Sequence, residues 1–172
     1  QAAVDSADVA LFMIDARAGI VPLDEEIARW LRGASTPIVL VGNKAEGRAA
    51  EAGLIEALSL GFGDAVQLSA EHGEGVADLF DALRPYIERE EEPEPEEAEE
   101  YDPETAVLKL AIVGRPNAGK STLINRFLGE DRLITGPEAG ITRDSIAVDW
   151  KWTAPDGRVR PVRLIDTAGM RK

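Results

Sequence analysis

A glycine-rich segment in the second half of the chain has the residues and spacing of a phosphate-binding loop. It follows the apolar run 107–113 and reads Gly114, Arg115, Pro116, Asn117, Ala118, Gly119, Lys120, Ser121. Its glycines let the backbone wrap closely around phosphate oxygens, and the turned N–H groups, the next helix N-terminus and Lys120 supply positive charge. The Ser121 hydroxyl is an oxygen ligand of the kind that Mg²⁺ takes. The segment therefore predicts a site for nucleotide phosphates and magnesium.

Two further motifs follow this loop at suitable distances. Thr142 lies in the glycine-containing segment 134–143, and its hydroxyl is a candidate Mg²⁺ ligand when a γ-phosphate is present. Asp166, directly after the apolar run 159–165, begins Asp166-Thr167-Ala168-Gly169. We expect Asp166 to hold Mg²⁺ through its water ligands and the Gly169 N–H to sense the γ-phosphate. Lys120, Thr142 and Gly169 are the candidate catalytic groups.

Polar clusters also follow two apolar runs in the first half of the chain. The runs are 37–41 and 66–68, and the clusters are Asn43-Lys44-Ala45-Glu46 and Ser69-Ala70. One interpretation is turn chemistry, because Asn and Ser are ordinary loop formers. The other is base recognition, in which a carboxylate accepts two N–H bonds from a guanine edge while Asn and Lys hold loop and ring in place. The residues alone leave both interpretations open.

These motifs fall on alternating strands and helices. The pattern predicts strands over 9–14, 37–41, 66–68, 107–113, 145–152 and 159–165, and helices over 24–32, 49–60 and 76–87. A further helix should follow the phosphate loop and end at Gly129. Strands that alternate with helices in this way form a mostly parallel sheet, with ligands at the carboxyl ends of its strands.

The charge of the chain is concentrated in one segment. The 172 residues carry a net charge of −13, and residues 88–104 hold eleven Asp or Glu and one Arg. We expect this segment to be a disordered, extended tether; the alternative is a polyanion that binds a basic partner. Because the chain has no cysteine and no run of about 20 apolar residues, disulfides, Cys-ligated zinc and a transmembrane span are excluded. A cytoplasmic protein that does not enter a membrane is expected.

Taken together, the motifs resemble those of the translation-factor-like GTPases. The segments GRPNAGKSTLINRFLG, AGITRDSI, DTAGMRK, ADVALFMIDARAG, VLVGNKAEG and SAEHGEG closely resemble the Der (EngA) family of tandem-domain GTPases, over the whole chain except the acidic segment. The resemblance implies a P-loop NTPase fold of the Ras-like type, a three-layer α/β structure with a mostly parallel sheet. It assigns 1–87 to the C-terminal half of a first G domain, 88–105 to a linker and 106–172 to the N-terminal half of a second. The chain is then expected to be a fragment of a longer protein.

The resemblance also implies GTP or GDP, Mg²⁺ and hydrolysis of GTP, in an enzyme that acts with rRNA in assembly of the large ribosomal subunit. The nucleotide contacts that it implies are residues 43–46, 69–70, 114–121 and 166–170. Two positions depart from common GTPase patterns. Glu46 replaces the usual aspartate of the base-recognition motif, and Met170 follows the DTAG motif where other GTPases carry a glutamine that orients water. GTPases with this hydrophobic substitution include potassium-stimulated members, and Asn117 is the residue expected to hold K⁺.

The order of the motifs leaves alternatives open. A guanine-nucleotide site needs base loops and a phosphate loop around one ligand, and here each occurs once, with the base loops first. In the family they belong to two different sites. The alternatives are a single circularly permuted G domain and a non-catalytic fragment that binds a partner through its acidic segment.

Overall fold

The fold is a six-stranded α/β sheet in a computed structural model that describes residues 2–87, 107–130, 148–153, 157 and 159–165. The strand order is β3-β2-β1-β4-β6-β5, and all neighbours are parallel except the hairpin β5–β6. The strands are β1 Val9–Asp15, β2 Ile38–Asn43, β3 Val66–Leu68, β4 Leu108–Val113, β5 Val148–Thr153 and β6 Val159–Ile165. The expected α/β fold class is confirmed.

Helices cover both faces of the sheet. They are α1 Ala2–Asp5, α2 Pro22–Leu31, α3 Ala49–Ala57, followed by a 3₁₀ turn over Leu58–Leu60, α4 Val76–Ile87 and α5 Lys120–Glu130. Leu79 of α4 and Leu123 of α5 belong to one buried cluster, and Ile27 and Leu31 of α2 belong to another. The three layers arise because the helices bury one apolar stripe each against the sheet.

The central strand β1 explains why the sheet is covered on both sides. All seven of its residues are buried. Val9, Leu11 and Met13 contribute to the cluster beneath α4 and α5, whereas Phe12 and its even-numbered neighbours contribute to the cluster beneath α2. Since successive side chains of a strand point to opposite faces, a continuous apolar run is the pattern of a strand between two helical layers.

The two halves of the chain meet in the middle of this sheet. Strand β1 pairs with β4 in parallel, with Val9 opposite Leu110 and Phe12 opposite Val113. The Asp8 N–H donates to the Lys109 carbonyl at 2.9 Å, and the Lys109 N–H donates to Asp8 Oδ2 at 2.7 Å. Three strands from each side of the acidic segment therefore build one sheet, as the permuted alternative requires. The predicted domain boundaries stay predictions, because 88–106 lies outside the described residues.

Most predicted elements agree closely with the structure. Strands 66–68 and 159–165 and helix 76–87 have the predicted bounds. The prediction that Gly129 ends α5 is wrong, because the helix continues to Glu130. A glycine inside a helix costs only about 1 kcal/mol relative to alanine, so it does not by itself end one. None of the described helices is long and apolar enough to cross a membrane.

Candidate nucleotide-binding site

The phosphate loop connects β4 to α5 at the carboxyl edge of the sheet. A Cβ on Gly114 would lie 2.4 Å from the Met13 carbonyl oxygen, so the loop packs directly on β1 from the other half of the chain. Lys120, the first residue of α5, donates from Nζ to the carbonyls of Gly114 at 2.7 Å and Arg115 at 2.8 Å. Because an ammonium has three donors, one N–H remains for a ligand. Burial lowers the pKa of Lys120.

Asn43 joins this loop to both base-recognition loops. Its side chain is 3% exposed. Nδ2 donates to the Ala118 carbonyl at 2.8 Å, and Oδ1 accepts from the Ala70 N–H at 3.0 Å. Both atoms of the amide are therefore used inside the protein, and a buried amide with both bonds made fixes the relative positions of three loops.

Gly119 makes the close approach of these loops possible. Its φ is +100°, in the left-handed region, and a Cβ at this position would lie 1.9 Å from Asn43 Nδ2. A side chain would therefore displace the amide that joins the loops, in addition to straining the backbone. This contact gives the second glycine of the motif a role in joining the two halves.

Lys44 makes the second connection between the halves. Nζ donates to Asp15 Oδ2 at 2.5 Å and to the Asn117 carbonyl at 3.1 Å. Both Lys44 and Asn117 have positive φ values, 59° and 64°. The side chain of Lys44 thus spans from β2 to the phosphate loop.

Asp15, at the end of β1, anchors Lys44. Burial acts to raise the pKa of Asp15, but the hydrogen bonds from Lys44 and the Ala18 N–H, with the charges of Lys44 and Arg115, lower it overall. The Ala18 N–H donates to Oδ1 at 3.0 Å. The carboxylate is therefore ionised at neutral pH and holds the loop after β1 together with the lysine.

We expect Asp15→Asn to lower the free energy of unfolding by about 1–3 kcal/mol at pH 7, because a buried charged hydrogen bond is lost. The folded-state pKa lies below the ordinary value of 3.8. The stabilisation by Asp15 is therefore present above that value and disappears as the pH falls through the lower, folded-state pKa. Urea unfolding between pH 7 and pH 3 should show the difference between wild type and variant shrinking in acid. Asp78→Asn, on the exposed surface of α4, is the control. An equal difference at both pH values would contradict the assignment.

Glu46 carries the carboxylate expected to recognise a base. Its Oε1 accepts a hydrogen bond from Arg17 Nη2, whereas Oε2 is buried and has no partner among the described residues. The nearby backbone N–H of Glu46 itself has the largest influence on its pKa, which it lowers; burial acts to raise the pKa, and Ser69, Arg17 and His72 lower it further. The carboxylate is thus ionised.

Arg115 connects the phosphate loop to α2. Its Nε lies 3.3 Å from Oδ2 of Asp24, which is fully buried. Burial raises the pKa of Asp24, while the Val21 N–H and Arg115 oppose the increase. Asp24 Oδ1 and Arg115 Nε and Nη2 have no hydrogen-bond partner within the described ranges, so this is an ion pair of incomplete geometry. A pair of this kind fixes position more than it stabilises the fold.

Arg126 of α5 connects the third loop. Its Nε donates to the Ala70 carbonyl at 3.2 Å and its Nη2 to the Glu71 carbonyl at 2.6 Å. The guanidinium also lies against Gly73, where a Cβ would be 3.1 Å from Cζ. The Ser69-Ala70 loop is therefore held by the helix that follows the phosphate loop.

The structure brings together the three described loops that the sequence predicts for the site, namely 43–46, 69–70 and 114–121. Thr142 and residues 166–170 lie outside the described residues, so their predicted roles stay predictions.

Sequence reasoning missed Asp15, Arg17, Asp24 and Arg126. The sequence did contain an indication for two of them. Asp15 ends a buried strand and Arg17 follows it, at the edge of the sheet where ligands bind.

Comparison with known proteins gives this geometry a context. The family described as 50S ribosome-binding GTPase matches residues 109–172. The protein named GTPase Der from Novosphingobium aromaticivorans is 68% identical over 100% of this chain and 39% of its own length. Those of Roseobacter denitrificans and Agrobacterium fabrum are 54% and 51% identical, over 99% and 100% of this chain and 38% and 40% of their own lengths. The chain thus spans about two fifths of the length of these relatives.

Proposed function

This chain corresponds over its whole length to a segment of the Der family of GTPases, and from that premise we propose that the chain by itself binds guanine nucleotides at the composite site. We propose further that the longer protein, in which the two halves belong to two different sites, hydrolyses GTP. The observation that carries the proposal is the buried amide of Asn43, which bonds the Ala118 carbonyl and the Ala70 N–H at once. This contact supports a site in which base loops from one half and the phosphate loop from the other face one ligand.

The phosphate end of the ligand is matched by positive charge. Lys120 keeps one N–H free beside the loop carbonyls, and α5 begins at this residue. A helix N-terminus and an adjacent ammonium attract phosphate oxygens and stabilise the charge that builds up when the terminal phosphoryl group leaves. Water attacks in line with the departing group, as in other phosphoryl transfers.

The base end of the ligand is matched by a hydrogen-bond acceptor. Glu46 presents a partly exposed carboxylate at this end, and a guanine edge offers two neighbouring N–H donors. A base that supplies donors to a carboxylate is favoured over one that leaves it without them. This supports guanine over adenine, whose corresponding edge lacks that pair of donors.

Of the three proposed magnesium ligands, the structure describes Ser121, and its chemistry suits the ion. Ser121 lies in the first turn of α5 with an exposed hydroxyl, and Mg²⁺ prefers oxygen donors of this type. Thr142 and Asp166 are proposed to complete its coordination. When bound, the ion would neutralise charge on the β- and γ-phosphates.

Isothermal titration of this chain with GDP, GTP and ATP tests the composite site. Binding of GDP and GTP but not ATP supports it. Binding of all three with similar affinity would show an isolated phosphate loop without base recognition. No binding of any of them would contradict the proposal and favour an interaction fragment that acts through its acidic segment.

We also propose that Asn117 helps to hold K⁺ beside the phosphates, because Met170 has no group that can orient the attacking water. Asn117 is exposed, and its neutral amide oxygen suits a monovalent cation. In the intact longer protein, exchanging K⁺ for Na⁺ should lower GTP turnover roughly tenfold or more. Asn117→Ala should remove that dependence, whereas Asn125→Ala, exposed on α5, should keep it. Equal turnover in both salts would exclude the potassium role.

The biological setting that we propose is assembly of the large ribosomal subunit in the cytoplasm, with contact to rRNA. The support is the description of the matching family as 50S ribosome-binding GTPase and the name of the relatives. Co-sedimentation of the intact protein with 50S subunits, with a non-hydrolysable GTP analogue or with GDP, tests the setting. Binding that neither nucleotide changes, or no binding, would contradict it.

A further inference from the structure

Arg17 contacts the base-recognition carboxylate from a loop outside the familiar nucleotide motifs. It follows β1 in the sequence Asp15-Ala16-Arg17-Ala18, and its guanidinium donates from Nη2 to Oε1 of Glu46, 29 residues away. The side chains are 53% and 25% exposed. An ion pair this exposed contributes little to the stability of the fold, so its position beside the base loop calls for another role.

The loop that carries Arg17 is itself fixed. Asp15 Oδ1 accepts from the Ala18 N–H at 3.0 Å, and Oδ2 of the same carboxylate accepts from Lys44 at 2.5 Å. One buried carboxylate therefore holds both the loop of Arg17 and the lysine of the base-recognition motif. The backbone segments that carry Arg17 and Glu46 are therefore held in fixed positions relative to each other.

Glu46 needs such a partner more than an aspartate would. Glutamate has one more rotatable bond than the aspartate usual at this position, and it loses more side-chain freedom when it is held in one conformation. Oε1 accepts from Arg17, and the other oxygen, Oε2, is enclosed by protein atoms, so Oε1 is the oxygen that a base can reach. A carboxylate oxygen has two lone pairs, so Oε1 can accept from Arg17 and from a base together.

We propose that Arg17 is a positioning residue for base specificity, which holds Glu46 so that Oε1 faces the N–H donors of a guanine edge. The inference rests on the proposed function, since it assigns a role within that same site. Arg17 acts through its hydrogen bond to the carboxylate of Glu46. Because Arg17 already holds the Glu46 side chain in one conformation, that side chain loses less conformational entropy when a base binds.

Titration with GDP and IDP tests this role, because the hypoxanthine base of IDP keeps the ring N–H and lacks the exocyclic amino group. For Arg17→Ala we expect GDP affinity to fall about three- to tenfold, in line with the entropy of ordering one side chain. IDP affinity should fall less, so the GDP preference over IDP shrinks. Arg17→Lys should restore part of the preference, because a point charge pairs with a carboxylate without a fork geometry.

Two controls separate positioning from general structural effects. Arg84→Ala removes an exposed ion pair of the same type, with Asp81 in α4, and should leave both affinities unchanged. In a Glu46→Ala background, Arg17→Ala should have no further effect on the preference, since Arg17 acts through that carboxylate.

Three results would overturn the inference while leaving guanine binding in place. They are an unchanged preference in Arg17→Ala, an equal loss for both nucleotides, and tighter GDP binding, which would mean that Arg17 competes with the base. If the wild-type chain binds GDP no better than ADP, the proposed function itself fails and the inference falls with it.

Discussion

Lys120→Ala should weaken GDP and GTP binding by about 2–5 kcal/mol, which is roughly 30-fold to several-thousand-fold in the dissociation constant. The ammonium is the one full positive charge in the phosphate loop that the structure places beside the loop carbonyls, and its third donor is free for phosphate. Calorimetric titration measures the loss.

Folding and binding should respond differently to this change. Burial of the ammonium, which lowers the pKa of Lys120, costs free energy that its two hydrogen bonds to loop carbonyls offset. We expect the free energy of unfolding to change by less than about 1 kcal/mol. Lys109→Ala, exposed on β4, is the matched control and should leave affinity unchanged. A loss of affinity below threefold in Lys120→Ala would argue against the phosphate assignment.

Gly119→Ala should destabilise the protein by about 2–5 kcal/mol and weaken nucleotide binding with it. The new Cβ would lie 1.9 Å from Asn43 Nδ2, and φ is +100°. Overpacking and left-handed strain each cost about 1–3 kcal/mol. Because Asn43 is buried and bonded on both sides, it can move only by giving up its bond to the Ala118 carbonyl or to the Ala70 N–H. Urea unfolding measures the change.

Gly63→Ala separates the two contributions. Gly63 has a φ of +79°, and no other atom lies within 4 Å of the place that a Cβ would take, so alanine there adds strain alone, about 1–2 kcal/mol. If Gly119→Ala costs no more than this control, the contact between Gly119 and Asn43 does not join the loops in solution.

The elements and the motif residues were predictable because their signals are local. An apolar run such as β1, or a glycine-rich loop before Lys120, is readable within about ten residues. The site connections were not predictable in this way. Asn43 reaches Ala118 across 75 positions, and Lys44 reaches Asn117 across 73. Whether such partners meet depends on the order of strands in the sheet, which no local pattern encodes.

The same reasoning explains the residues that were missed. Arg17 and Asp24 look like ordinary surface charges in the sequence. Arg17 meets Glu46 because β1 lies beside β2. Asp24 meets Arg115 because β1 also lies beside β4, which carries the phosphate loop. The acidic segment carries most of the net charge of the chain, but its sequence does not predict these contacts.

The pairing of β1 with β4 implies a second effect of a nucleotide bound at the proposed composite site. The base loops belong to one side of that strand pair and the phosphate loop to the other, so such a nucleotide would hold the two pieces of the sheet together. Its binding free energy adds to the association of the two pieces, by mass action, in proportion to the logarithm of its concentration above the dissociation constant. Polypeptides covering residues 1–87 and 107–172, supplied separately, should therefore assemble more tightly in the presence of their ligand.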